Sequence, residues 1–259
     1  MASLNETGHD NSVALYFTIE AKVKTNVIIQ LRTMKLVIFD MDQTLVDFIS
    51  FHQQTTRQLF KKFFNVDAGL EEVDFSGRSM AENFIELARL KNISSEEVQK
   101  NAGKLLETYE MLFGQNIPRN GSRHILPGVK ELLEELIRTD HVVVLYTGDS
   151  PGVAKHVLES TGLADYFEFC VYGTQARTRL DMVKMAIRKA EEMNEMKFRG
   201  KNVVIIGDSV RDIDCGKEVG ALTIAVATGP HSPQELAEHQ PDFLFQDMSD
   251  YKKVLAAIG

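Results

Sequence analysis

KLVIFDMDQTL, residues 35–45, is the stretch on which the fold turns. Leu36 to Phe39 are an unbroken apolar run, the pattern of a short strand buried on both faces. Asp40 and Asp42 follow it at once. In extended chain, residues i and i+2 project to the same side, so both carboxylates enter one pocket at the C-terminal edge of the strand. Two carboxylates so placed need a stabilising cation or a shared proton. An isolated Asp-x-Asp reads equally well as a solvated turn, so the rest of the chain has to decide.

Similar runs recur downstream: HVVVLY at 141–146, FEFCVY at 167–172, NVVII at 202–206, LTIAV at 222–226 and DFLF at 242–245. Helical patterns at 151–161 and 180–193 lie between the later runs, and this alternation predicts an α/β fold with a doubly wound, mostly parallel, Rossmann-like sheet. Right-handed crossovers then bring every strand's C-terminal end to one edge. The 141–146 run ends in LYTGDSPG, which offers Thr147 and the following backbone amides at a helix start, where a phosphate is welcome. The 202–206 run ends in IIGDSVRDID, with Asp208 and Asp212 one helical turn apart. Acidic residues in a first turn are often only dipole partners. Three strand ends delivering Asp-x-Asp, Thr-Gly and Asp-x3-Asp to one edge are a different matter, and they mark a site.

Residues 48–126 break the rhythm, with several amphipathic helical patterns and no clear strand. Val98, Ala102, Leu105, Tyr109 and Leu112 share one helical face, and Phe48, Phe51, Thr55, Leu59 and Phe63 draw another. Eight of the 15 phenylalanines fall between 48 and 113, enough for a small core and the roof of a cleft. The expected organisation is a core domain of residues 34–47 and 127–259, an inserted α-helical cap domain at 48–126, and an N-terminal extension at 1–33. Within the extension, Phe17, Ile19, Ala21 and Val23, then Val27, Ile29 and Leu31, alternate as a β-hairpin turning near Thr25 and Asn26. It holds no candidate ligand or acid.

Composition narrows the function classes. The 259 residues carry a net charge of −8, the wrong sign for gripping nucleic acid through its phosphates. The hydrophobic share of 44% and charged share of 25% are those of a soluble globular chain rather than a disordered one. Cys170 and Cys215 have neither zinc-site spacing nor the number of a disulfide framework, which fits a reducing, cytoplasmic setting. No apolar stretch approaches the roughly 18 residues of a membrane span. The sequons at Asn5, Asn92 and Asn120 then read as chance.

DMDQT, LYTG, a basic residue at 177–179, and GDSVRDID, in that order, resemble the haloacid dehalogenase-like superfamily of phosphohydrolases. The likeness runs from about residue 34 to the end and points to the phosphoglycolate phosphatase-like subgroup with a helical cap. It implies a Mg²⁺-dependent phosphatase that hydrolyses a small phosphate monoester, a small phosphorylated metabolite, through an aspartyl-phosphate. By the resemblance Asp40 is the nucleophile and Asp42 the general acid that later activates water. Thr147 and the Gly148 amide hold a phosphoryl oxygen. Asp208, the Asp40 carboxylate and the Asp42 carbonyl ligate Mg²⁺, with Asp212 supporting directly or through water. Hard oxygen ligands of this kind suit that ion.

The sequence departs from the family pattern in places. The usual basic Lys is absent, and ARTRLDMV offers Arg177 or Arg179, with Arg179 preferred. Gln43 stands where the family usually has Gly, so the turn there needs a different backbone. Asp42 is present where members that break carbon–halogen bonds lack an acid, which sets dehalogenation aside. DFSGRSM at 74–80 resembles a cap loop of the subgroup, so Arg78 is expected to reach the non-reacting end of a substrate.

Two other activities compete. A sugar phosphomutase uses the same aspartates. A serine esterase at Ser150 would fit the GDSPG pattern at 148–152, but Pro151 lacks the N–H that an oxyanion needs after the nucleophile. A monomer or homodimer is expected.

Overall fold

A computed structural model describes residues 34–259; the hairpin expected within 1–33 lies outside the described residues. Six strands form one sheet: β1 (Leu36–Phe39), β2 (Val142–Thr147), β3 (Cys170–Tyr172), β4 (Val203–Gly207), β5 (Leu222–Val226) and β6 (Phe243–Phe245). Their order is β3-β2-β1-β4-β5-β6 and every pairing is parallel. Leu36 faces Val142 on one side and Val203 on the other, so β1 is central and the strand order reverses beside it. In open α/β sheets, ligands bind in the crevice outside the strands' carboxyl ends at such a reversal.

The strand period of two divides β1 between two cores. Val37 and Phe39 join one apolar cluster, shared with α4 (Val129–Leu136), α5 (Pro151–Thr161) and α9 (Tyr251–Ile258). Leu36 and Ile38 join the other, packed on Val183 and Ala186 of α6 (Arg179–Asn194). All four are fully buried, each contributing about 1.5–3 kcal/mol relative to exposure. This is the doubly wound sheet that the alternating pattern predicts. The FEFCVY run is shorter than expected, since only Cys170–Tyr172 is strand, at the sheet's edge beyond a 3-10 turn at Ala164–Tyr166.

Between β1 and β2 the insertion is helical: α1 (Ile49–Phe64), α2 (Met80–Leu90) and α3 (Ser95–Asn116). Along α3 the buried positions are Val98, Leu105, Tyr109 and Phe113, whereas Ala102 is exposed and Leu112 half-buried. Helices of 3.6 residues per turn rotate a face slowly over this length, and Phe113 takes the place given to Leu112. Along α1 the buried face is His52, Thr55, Thr56, Leu59 and Phe60, so the aromatic stripe contains a histidine. Phe60, Phe84 and Tyr109 join the three helices, Phe60 and Phe84 edge to face with ring centroids 6.0 Å apart and Phe84 and Tyr109 tilted at 5.3 Å.

Among the described residues, Cys170 and Cys215 are free thiols, and no helix is long and apolar enough to cross a membrane. The remaining helices, α7 (Val210–Glu218) and α8 (Pro233–Glu238), follow β4 and β5.

Candidate active site

Asp40 continues the β1 ladder by donating its N–H to the Ile206 carbonyl at 2.9 Å, after which the chain turns away. Gln43 makes the turn in the left-handed region at φ 60°, the conformation a glycine adopts most readily, so the residue changes without the change of backbone expected from the sequence. That conformation costs a residue with a Cβ roughly 1 kcal/mol. Several bonds hold it: the Gln43 N–H to the Val46 carbonyl at 2.7 Å, Gln43 Nε2 to Asp47 at 2.7 Å, and the Thr228 hydroxyl to the Gln43 carbonyl at 2.5 Å.

The strand ends bring together two acidic clusters. In one, single oxygens of Asp40, Asp208 and Asp212 all lie within 4.8 Å of one another, and all three residues are buried. Arg179, buried at the start of α6, reaches Asp40 Oδ1 at 2.6 Å and Asp212 Oδ1 at 2.5 Å, and its guanidinium lies over the Tyr146 ring. Burial pushes Asp40 up to about 7, with Asp212 and Asp42 adding to it and Arg179 opposing. Burial and the charges of Asp40 and Asp212 push Asp208 well above the usual carboxylate range. Burial works to raise Asp212 too, but Arg179 and its hydrogen bonds outweigh that and hold it low.

These carboxylates fit a hard divalent cation. Three carboxylates face one guanidinium, and among the described residues Asp208 accepts a single hydrogen bond, from Thr44 at 3.1 Å. Asp212 differs from its neighbours. Its Oδ2 accepts from the Ser209 N–H at 3.0 Å and hydroxyl at 2.7 Å, and its Oδ1 accepts from Arg179 Nε at 2.7 Å and from the Tyr146 hydroxyl. Both oxygens are therefore already engaged.

In the other cluster, Asp42 and Asp149 flank His52 of α1, whose Nε2 lies 3.3 Å from Asp42 Oδ1 and 3.8 Å from Asp149 Oδ2. Burial works against a charged His52, yet Asp149 and Asp42 raise it to about 9. The Tyr109 hydroxyl sits 2.9 Å from its Nδ1. Burial also works to raise Asp42, but His52 outweighs it and holds the carboxyl low, while burial and the Asp42 charge drive Asp149 up.

Between the clusters lies a cleft of about 80 Å³, lined by Asp40, Asp42, Thr147, Gly148, Asp149, Arg179 and Asp208 from the sheet. Arg78 and Asn83 are among the residues that the insertion contributes. Thr147 is buried and its hydroxyl accepts the Asp149 N–H at 3.1 Å. Gly148 is required by close approach: a Cβ there would run into the Arg78 carbonyl, and its own carbonyl accepts the Met80 N–H at 3.1 Å. Arg78 is half-buried in the cleft wall.

Of the two arginines left open by the sequence, Arg179 enters the site, whereas Arg177 is exposed and does not line the cleft. The esterase reading fails on geometry. Ser150 is fully buried as the N-cap of α5, accepting the Val153 N–H, and His239 pairs with Asp214 instead of with a serine.

His52, Asp149 and Asn83 were not anticipated from the sequence. His52 sits four residues after Phe48 and three before Thr55, inside the stripe already noted on α1. Asp149 lies within LYTGDSPG, a stretch read for its threonine, its backbone amides and Ser150.

A model of the haloacid dehalogenase-like hydrolase family matches residues 37–226. A phosphoglycolate phosphatase of Vibrio parahaemolyticus is 26% identical over 226 residues, covering 86% of this chain and 96% of its own. Pyrophosphatase PpaX of Listeria monocytogenes is 25% identical over 224 residues, covering 83% and 93%. The crystal structure of a β-phosphoglucomutase from Clostridium difficile superposes with a TM-score of 0.68 at 18% identity, covering 87% and 97%.

Proposed function

Since the chain belongs to the haloacid dehalogenase-like hydrolase family, we propose that it is a divalent-cation-dependent phosphatase acting on a small phosphate monoester. In this reading residues 48–126 are a cap over a core of 34–47 and 127–259. The observation that carries it is the different partnering of two carboxylates in one cleft: Asp40 is clamped by Arg179, and Asp42 lies against His52, which also faces Asp149.

The Asp40 carboxylate attacks phosphorus, the bond from phosphorus to the ester oxygen breaks, and an aspartyl-phosphate forms. Arg179, the Thr147 hydroxyl and the Gly148 amide hold the phosphoryl oxygens in line. Asp149, driven up by burial and the Asp42 charge, holds the pair's proton beside the charged His52 and passes it through Asp42 to the departing alkoxide. Asp42 then takes a proton from water, whose oxygen attacks phosphorus, releasing inorganic phosphate and restoring Asp40.

Mg²⁺ held by Asp40, Asp208 and the Asp42 carbonyl would neutralise the crowded negative charge of nucleophile and phosphoryl group. Asp212, its oxygens engaged by protein donors, acts by fixing Arg179. Arg78 offers a cation to an anionic group on the non-reacting end of the substrate. The phosphatase relatives support the reaction class.

The test is release of inorganic phosphate from a panel of small phosphate esters, with and without Mg²⁺, by the wild type and Asp40→Asn, alongside an assay for sugar-phosphate isomerisation. Release that needs Mg²⁺ and Asp40 is expected. Isomerisation without release would replace hydrolysis with mutase activity, and release that survives EDTA would remove the metal.

A further inference from the structure

The buried face of α2 is Met80, Asn83, Phe84, Leu87 and Ala88, the i, i+3, i+4, i+7, i+8 pattern of an apolar stripe with one polar interruption. Asn83 is 7% exposed, and its Oδ1 is sealed from solvent with no hydrogen-bond partner among the described residues. Leaving such a group unpaired in the interior is destabilising, so a leucine there would favour the fold. Nor does the side chain serve the helix start. Ser79 and Glu82 cap α2 reciprocally, Ser79 accepting the Glu82 N–H at 3.3 Å and Glu82 the Ser79 N–H at 2.7 Å. What Asn83 does is line the cleft, together with Phe84, Asp42 and Thr147.

We infer that Asn83 is a specificity-determining residue: its carboxamide hydrogen-bonds an oxygen substituent on the alcohol portion of the phosphate ester. The inference rests on the phosphatase reading and adds a substrate class to it. A carboxamide presents an acceptor oxygen and donor N–H groups, and with no protein partner to fix its orientation it meets a hydroxyl or a carboxylate equally well. A plain alkyl group leaves it unpaired. Sites of this kind reject analogues that lack the polar group far more strongly than apolar pockets sort by size. The substrate class is therefore a phosphate ester whose alcohol portion bears a hydroxyl or carboxylate.

Two matched pairs test this: glycerol 3-phosphate against propyl phosphate, and phosphoglycolate against ethyl phosphate. The wild type should favour the polar member of at least one pair in kcat/KM, and which pair responds tells hydroxyl from carboxylate. Asn83→Leu should lower that preference tenfold or more, and Asn83→Ala should lower it similarly without adding bulk. Asn83→Leu should also melt no lower than the wild type, because an orphaned amide is replaced by an apolar group. A wild type indifferent within both pairs, a preference untouched by the variants, or a lower melting temperature for Asn83→Leu overturns the assignment. If the wild type releases no phosphate from any of the four esters in an Asp40-dependent way, the phosphatase reading itself falls. A wild type that hydrolyses these esters without a preference, or with one that the variants leave untouched, removes the Asn83 assignment alone.

Discussion

Nε2 of His52, on the first helix of the insertion, lies 3.3 Å from Oδ1 of Asp42 at the edge of the sheet. The contact ties the helical unit to the end of β1 through a charged pair with little access to water, where screening is weak.

The charge on His52 makes this tie dependent on pH. Its folded value of about 9 stands above the usual 6.5. A raised value means that the stabilisation is fully present below about pH 6.5 and is lost as pH rises through about 9. The melting temperature of His52→Gln should therefore fall furthest below that of the wild type near pH 6, with the gap closing towards pH 9.5. A gap constant across the series would show that packing, not charge, holds the contact.

Asp40 carries the opposite sign. Its folded value of about 7 lies above the usual 3.8, so the carboxylate burdens the fold. That burden is absent below about pH 3.8 and grows as pH rises to about 7. In EDTA at pH 8, Asp40→Asn should melt above the wild type, while phosphate release falls by roughly 10³-fold or more. Thermal melts and turnover on one ester check both halves.

Arg179 is the cation that the two buried carboxylates share. Arg179→Met leaves Asp40 and Asp212 uncompensated and should cost about 3–5 kcal/mol in urea unfolding. Saturating Mg²⁺ should recover part of that loss, because a second cation then faces the same oxygens. Arg179→Lys should lose less stability, but it cannot bridge two acids with a planar fork.

Gly148 is placed against the insertion's main chain, where there is no side chain to give way. Gly148→Ala should destabilise by about 1–3 kcal/mol and lower kcat/KM at least tenfold, since the added methyl displaces the Arg78 carbonyl and with it the loop carrying Arg78. Wild-type kinetics and stability together in this variant would show that the loop yields freely.

The sheet and its acidic edge were legible because a parallel sheet enforces two rules on its sequence. Strands buried on both faces are continuous apolar runs, and their C-terminal ends share an edge, so Asp40, Thr147 and Asp208 were placed together before any coordinates. Arg179 was legible only as one of two arginines, since separating it from Arg177 needed the start of α6. His52 and Asn83 were hidden by the regularity that revealed their helices. Each is a polar residue inside an apolar stripe, and the stripe was read for its apolar members. Asp149 was hidden because its partner His52 arrives from α1, nearly a hundred residues earlier in the chain, and no local spacing reports such a meeting.

The central position of β1 governs the order in which this enzyme can come into being. Of the described strands, the one that leads into Asp40 is synthesised first, yet both of its neighbours are encoded far behind it, β2 from Val142 and β4 from Val203. Until β4 emerges, a nascent chain holds an apolar strand with at least one bare edge, the kind of surface that invites pairing with other chains. Closing such distant contacts is slow, because loop entropy must be spent before any pairing rewards it. A translation product that stops short of Gly207 therefore lacks Asp208 and leaves one side of β1 unpaired. The acidic cluster of Asp40, Asp208 and Asp212 and protection from aggregation are completed in the same late stage.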